Sequence, residues 1–514
     1  MRDGAGATVA RLPPTERKPG EDRVAWLVDN AEAYREVLRA VARARRSIWI
    51  AQLAFDADCV AYDDAATYDQ TAAGSPLLQV LIDASTRVPV RIVLNQSLLL
   101  DTATPLRMAL RRAGATDVRV RGIKRFPQLL HAKMVIIDER EALLLGSPFV
   151  NGYWDHADHL PTDPRRGDRE LGGRPLHDVS MAITGPAVHS LSAIFAELWN
   201  DLSVGDADDA PLECRPADAR ASDACIRIAR TAPGGAPHSH DTGRTDVLAA
   251  IEGALVGARR LVYVEHQYLS SRRVIAALAE ALAREDSLEV VIVLNQNPDV
   301  TAYRSWQNAR LRESGLLSHP RVGLFTIWRA KPSTTDHHEW VVNQLFVHSK
   351  VLIVDDAWLT MGSANLDGVS LHSYGDDFTG WLGRRIFRDV RNFDMNVVMT
   401  SGAHGRADAI RTLRTRLWAE HLAVPASALD TPPAGGWLAL WRSRAAESVA
   451  VLDAPRTGDV ERCLALPLPY STMPTPRLQL RDVGVRVTER LDLRFDPGWL
   501  EVHFSPNWVR NMFA

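Results

Sequence analysis

At 514 residues the chain is too long for a single hydrophobic core, so two or three core-forming units follow from length alone. Its 46% hydrophobic and 24% charged content is ordinary for a soluble globular protein. A net charge of −3 supplies no footprint for a polyanion and counts against nucleic acid as a partner. Four cysteines, Cys59, Cys214, Cys225 and Cys463, lack C-x-x-C spacing, which indicates neither a zinc site nor a disulfide framework. No apolar signal-like core occupies Met1 to Gly20, and no run approaches the ~18 continuous apolar residues of a spanning helix. The expectation is a cytoplasmic protein, with peripheral membrane contact as an alternative.

Residues 1–22 read as a disordered lead-in. Arg23 to Val28 is strand-like, and Tyr34, Val37, Leu38 and Val41 then mark one helical face. That helix ends at Ala44-Arg45-Arg46, where cations suit the negative dipole end, and the strand Ser47 to Gln52 follows. The same order recurs later. Ile226 to Ala229 is strand-like, Val247, Ile251, Ala254 and Ala258 mark a helix, and Leu261 to Gln267 is a strand. Val90-Arg-Ile-Val-Leu-Asn-Gln96 returns as Val290-Val-Ile-Val-Leu-Asn-Gln296, identical at six of seven positions. A repeat of this length means duplicated α/β lobes rather than a solenoid.

Each half then carries a strand of one design. In the second, Phe346-Val-His-Ser-Lys-Val-Leu-Ile-Val-Asp355 contains His348, Lys350 and Asp355 and is followed by Gly362-Ser363-Ala364-Asn365. In the first, His131-Ala-Lys133-Met-Val-Ile-Ile-Asp138 is followed by Gly146-Ser147. Side chains alternate along a strand, so each histidine shares a face with its lysine, while the aspartate falls on the opposite face and looks structural. An imidazole beside an ammonium suits a phosphate. Further on, Asp178 and Asp394 each open another strand at matching distances beyond His131 and His348. This placement argues for a role, although a strand-end aspartate also caps turns.

A phosphodiester is anionic and repels nucleophiles until its charge is neutralised, which Lys133 and Lys350 would do. Histidine can attack phosphorus when neutral or donate a proton when charged. Two histidines allow both roles, and each needs an acceptor to fix its tautomer. Asp178 and Asp394 are the candidates. The hydroxyls of Ser147 and Ser363 and the amide of Asn365 would add phosphate or histidine contacts.

These motifs resemble the phospholipase D superfamily, whose signature is a doubled H-x-K-x₄-D followed by G-S-x-N. Over residues 23–422 the resemblance implies a bilobal α/β fold whose motifs meet at a pseudo-twofold interface. It implies a metal-independent phosphohistidine mechanism without a cofactor. It also implies a catalytic set of His131, Lys133, Asp138, His348, Lys350 and Asp355, supported by Asp178 and Asp394, with Ser147, Ser363 and Asn365 binding substrate. Val262 to Tyr268, Gly152 to Asp155, Leu176 to Asp178 and Leu417 to Leu422 are similar to segments of eukaryotic-type phospholipases D. They favour a lipid phosphodiester at a membrane surface. Position 149 is Phe where the signature places Asn, Asn151 comes two residues later, and Val369 stands where an arginine is common. The stretch from His372 to Asn392 is longer than the family pattern. It reads either as a surface loop or as a wall of the substrate entrance.

The expected fold is α/β: two duplicated lobes at 23–203 and 223–425, each a mixed sheet flanked by helices. A linker at 204–222 joins them, and a small β-rich extension covers 426–514. The aromatic tail Trp499 to Phe513 docks back on the lobes or rests on a membrane. The helix around Ile410, Leu413, Leu417 and Trp418 reads as packed, with a solvated basic face. His337-His338-Glu339 lacks the further ligands a closed metal site needs. The expected activity is hydrolysis of glycerophospholipid headgroup esters, with transfer to an alcohol as a second outcome, by a monomer. Rival readings are a nuclease, a cardiolipin-synthase-type phosphatidyltransferase and a non-enzymatic lipid-binding scaffold.

Overall fold

The computed structural model describes residues 22–479, apart from 98–99, 126, 161–162, 168–173, 203–210, 215–225, 235–242, 297, 299–300, 333–339, 379, 402–406, 454–461 and 469–477. The lead-in, most of the linker, His337 to Glu339 and the aromatic tail therefore fall largely or wholly outside the described residues.

Two mixed sheets organise the molecule, and their central seven strands run in the same spatial order. In the first the order is Arg23–Val28, Val179–Thr184, Glu141–Leu144, Met134–Ile137, Ile48–Ala51, Val90–Asn95, Val118–Ile123. In the second it is Ile226–Ala232, Asp394–Thr400, Trp358–Gly362, Lys350–Val354, Leu261–His266, Glu289–Leu294, Val322–Pro332. Strand directions match as well. The first four neighbouring pairs are antiparallel and the last two parallel, in both sheets. The duplication read from sequence is thus a duplication of topology. Parallel strands covered on both faces need apolar runs; Val290 to Leu294 is continuous, and Val90 to Leu94 is interrupted by Arg91, which pairs with Asp117 at 2.9 Å.

Helices flank both sheets. Asp29–Arg43 buries Tyr34, Val37 and Val41, with Leu38 half-buried. Ala407–Leu422 buries Ile410, Leu413, Leu417 and Trp418 completely. Its basic face is not wholly solvated, because Arg414 is buried, pairs with Asp356 through two bonds of 2.7 and 2.9 Å and lies over the Trp418 ring. The described part of the extension includes the short helix Ala426–Leu429, the helix Gly436–Asp453 and the strand Arg462–Pro467, which pairs antiparallel with Val322–Pro332 in the second sheet. Leu478–Gln479 adds a parallel pairing to Trp340–Gln344. The rest of the expected β-rich extension, beyond Gln479, lies outside the described residues.

The halves are stitched by backbone just ahead of each motif. Phe346–Val347 pairs in parallel with Leu176–His177, and the His348 amide donates to the His177 carbonyl at 2.7 Å. Reciprocally, the amides of His131 and Ala132 donate to the Phe393 carbonyl, each at 2.8 Å.

Candidate active site

His131 and Lys133, and His348 and Lys350, enter their strands buried and side by side. The aspartates do not orient the histidine of their own half. His131 Nδ1 lies 2.7 Å from Asp394 Oδ1, and His348 Nδ1 lies 2.9 Å from Asp178 Oδ2. A carboxylate only accepts, so each Nδ1 carries the proton and each Nε2 keeps its lone pair. Both Nε2 atoms are buried without a hydrogen-bond partner among the described residues. Burial first, then Lys133, lowers His131 to about 4, and burial with Lys350 lowers His348 to about 3. Both rings are neutral near pH 7. Burial and the charge of Lys350 bring Lys133 down to about 7. Each lysine also bonds the carbonyl of its own histidine, at 2.8 Å for Lys133 and 2.5 Å for Lys350.

Asp138 and Asp355 do not join this group, which corrects their inclusion among the catalytic residues. Each sits in the turn closing its strand, roughly 17 Å along the strand from the lysine at ~3.3 Å per residue. The Asp138 carboxylate accepts from the amides of Arg45, Arg46 and Ser47, and Asp355 accepts from Arg259, Arg260 and Leu261. Both have left-handed φ, 56° and 55°, a conformation aspartate tolerates better than most residues. Their work is to tie turn to helix end.

Ser147 and Ser363, expected to contact phosphate or histidine, hold the aspartates. Ser147 Oγ donates to Asp178 Oδ2 and lies 3.2 Å from His348 Nδ1, while Ser363 Oγ donates to Asp394 Oδ1 at 2.6 Å. The preceding glycine makes room for this: a Cβ on Gly146 would stand 2.0 Å from Asp178 Oδ1, and one on Gly362 would stand 2.2 Å from the Met395 carbonyl. Asn365 is buried with Oδ1 unpartnered among the described residues, consistent with a contact kept for substrate. The first half has no equivalent. Phe149 is a core residue against Tyr34 and Phe55, and Asn151 turns toward Asp56 and Asp58.

Two further pairs of residues at the site escaped the sequence reading. Asn95 Nδ2 donates to the Leu130 carbonyl and its Oδ1 accepts from the Leu130 amide, each at 2.9 Å. Asn295 does the same to Val347, at 2.7 and 2.9 Å. Each asparagine thus pins the residue before a site histidine. The signal was present in the repeated Val-Leu-Asn-Gln. The second pair is Gln52 and His266. His266 faces Lys350 in strand register, and Gln52, one residue beyond the Ala51–Met134 pair, is level with Lys133. Paired residues share a sheet face. Both side chains are buried, with their nitrogen and oxygen atoms unpartnered among the described residues. Burial and Lys350 lower His266 to about 3, so it is a neutral donor and acceptor.

Beneath His348 lies a second buried network. His177 bonds Asp29 at 2.9 Å and Glu265 at 3.1 Å, and His159 bonds Asp155 and Glu420, both at 3.1 Å. His421 also reaches Glu265, at 2.7 Å. Asp29, His159, His177 and Glu420, and separately His177, Glu265 and His421, lie close enough to share a cation. However, both nitrogens of His159 and of His177 face carboxylates. Against burial, Asp29, Asp155 and Glu420 raise His159 well above the usual value, and Glu265, Asp29 and Glu420 do so for His177. Imidazolium protons occupy the positions where a metal needs lone pairs. The network joins both halves directly behind Asp178.

Residues 251–395 match the family model described as "Cardiolipin synthase, PLD-like domain". Phospholipase D zeta 1 of Arabidopsis thaliana is 24% identical over 210 residues, covering 34% of this chain and 18% of that protein. Phospholipase D1 of Schizosaccharomyces pombe is 24% identical over 302 residues, covering 49% of this chain and 22% of that protein. The match therefore spans about a fifth of these curated relatives. Among solved structures, the phosphatidylserine synthase of Haemophilus influenzae Rd KW20 aligns with a TM-score of 0.48 at 12% identity, covering 77% of this chain and 86% of that one. A polyphosphate kinase from Porphyromonas gingivalis aligns with a TM-score of 0.39 at 13% identity, covering 78% and 47%.

Proposed function

The chain belongs to the phospholipase D superfamily, a phosphodiester-active family, and from that premise we propose that it cleaves glycerophospholipid headgroup esters through a phosphohistidine. The observation that supports this reading is the pair of buried histidines, each anchored through Nδ1 and bare at Nε2, flanked by two lysines.

His131 Nε2 attacks phosphorus, forming a P–N bond as the P–O bond to the headgroup breaks. His348 is neutral in the free protein because burial and Lys350 disfavour its charge. An anionic diester between the lysines offsets that field, so His348 takes up a proton and gives it to the leaving oxygen. In the second step, His348 Nε2 removes a proton from water or an alcohol. The resulting oxygen attacks phosphorus, the P–N bond breaks and its electrons return to His131. Asp394 and Asp178 hold the two tautomers throughout, and the lysines balance charge as the five-coordinate phosphorus forms.

Incubation with mixed phospholipids and ethanol, read by mass spectrometry, tests the proposal. Phosphatidylethanol is expected from the wild type, and His348→Ala is expected to abolish both it and free headgroup. Turnover retained in that variant would sink the mechanism, and plasmid nicking without lipid cleavage would favour a nuclease.

A further inference from the structure

The long stretch between Asn365 and Asp394 carries a short helix, Trp381–Ile386. Six large apolar side chains are exposed among the described residues, and three are here: Trp381 at 72%, Leu382 at 56% and Ile386 at 60%. Single exposed apolar residues are normal, but three within six positions form a patch. At 100° per residue the inward side is Gly383 and Phe387. Phe387 stacks on Phe378 with centroids 5.0 Å apart and meets Tyr374 at 5.3 Å, and a Cβ on Gly383 would come within 2.6 Å of the Phe378 ring. The outward side therefore mixes Trp381, Leu382 and Ile386 with the exposed Arg384 and Arg385, and the exposed Arg388 follows. Asp389, 3.7 Å from Arg388, is the one acid within this run, so the face is cationic.

The element is firmly mounted, and its flanks are tied to the segment that leads into His131. Arg310 pairs with Asp377 at 3.2 Å and bonds the Asp376 and Asp377 carbonyls at 3.1 and 2.5 Å. Tyr374 and Val390 pack in a cluster with Leu53, Leu129 and Tyr268. Leu129 lies two residues before His131, and its amide donates to Asn392 Oδ1, two residues before Asp394, at 3.1 Å.

We propose that Trp381–Ile386 is a membrane-docking element that seats on an anionic phospholipid bilayer, with Trp381, Leu382 and Ile386 at the headgroup–acyl boundary and Arg384, Arg385 and Arg388 on lipid phosphates. Apolar and cationic side chains share one face, so an apolar protein groove would have to desolvate the guanidiniums. A bilayer interface accepts the rings and chains while arginine heads remain among the headgroups. The identification of a lipid surface rests on the phospholipid reading of the site.

Full-length protein is sedimented with phosphatidylcholine vesicles and with vesicles containing one fifth phosphatidylglycerol. The wild type is expected to bind the anionic vesicles, with affinity falling as salt rises. Arg384→Gln with Arg385→Gln should weaken partition about fivefold per charge removed, and Trp381→Ser with Leu382→Ser and Ile386→Ser at least tenfold. Both variants should keep the wild-type melting temperature and rate on soluble bis(p-nitrophenyl) phosphate. Vesicle binding unchanged in both variants overturns the proposal. So does a shift from dimer to monomer in the serine variant with vesicle binding intact, which would make the patch a contact between copies. Loss of diester cleavage in the wild type, with vesicle binding still dependent on this face, would overturn the catalytic reading and leave the docking element standing.

Discussion

The exchange of aspartates between halves makes Asp178→Asn the most informative substitution. Asp178 is buried, receives His348 Nδ1–H at 2.9 Å and is backed by Ser147. In spite of burial, it is held below the usual carboxylate range by His348, Lys350 and that hydroxyl. Asparagine has the same shape but can present an N–H to Nδ1, which would move the imidazole proton to Nε2 and remove the atom that exchanges protons. Loss of a positioned acid–base group costs about 10²–10⁴-fold in kcat, or roughly 3–5 kcal/mol. The assay is pre-steady-state cleavage of bis(p-nitrophenyl) phosphate, whose leaving group needs little protonation. With His348 as the acid–base, Asp178→Asn should retain a burst of one p-nitrophenolate per site, followed by slow turnover, because the phosphohistidine then waits for a base. Asp394→Asn disables the nucleophile His131 and should show no burst. Less than threefold loss in both variants would refute the positioning argument, and the reverse burst pattern would exchange the roles of the histidines.

Lys133, lowered to about 7, loses its charge as pH rises through that value, so kcat/KM for the soluble diester should fall about tenfold per pH unit above it. Lys133→Arg, always charged, should lower the plateau but move this limb upward, and an unmoved limb would assign it elsewhere. Asp355→Ala strips an acceptor from three amides and should cost about 1–3 kcal/mol in urea unfolding, with kcat of the folded protein within threefold of wild type. Asn295→Ala frees the residue before His348 and should lower kcat by about 10–100-fold, as expected for misplacing a reacting group, with little change in KM. His266→Leu should cost about tenfold in kcat/KM as one neutral hydrogen bond to the diester is lost, whereas His266→Asn, which keeps a donor and an acceptor, should recover most of it.

Much of the fold was legible because it is written twice. The apolar runs at Val90 and Val290, the paired H-x-K strands and the matching aspartates each reported a repeated unit, and strand order confirms it. Period-two alternation also separates Asp138 and Asp355 from the lysines, and the turn amides they accept from account for their structural role. What alternation could not supply was partnership across the interface. Asp178 and Asp394 are at equivalent places in sequence, so spacing fits same-half and exchanged pairing equally well. The pairing is decided by which strand ends abut, here Leu176–His177 against Phe346–Val347. The serines' hold on the aspartates was hidden for a related reason, since a hydroxyl beside a phosphate site and one behind an aspartate look alike in sequence. The buried network of His159, His177 and His421 with its carboxylates was similarly invisible because its members are scattered over five segments.

The exchanged pairing has a consequence for how such a site is kept accurate. Were each aspartate to serve its own histidine, each half would present an oriented, reactive imidazole on its own. With the exchange, His131 has a fixed tautomer only while Asp394 is docked, and His348 only while Asp178 is. Docking is itself secured close by, through the backbone pairs ahead of each motif and through His177, whose ring is tied to Asp29 on one side and Glu265 on the other. The residue after His177 is Asp178, so a shift of the interface that breaks the first contact displaces the second. Both histidines therefore depend on the same interface for a fixed tautomer.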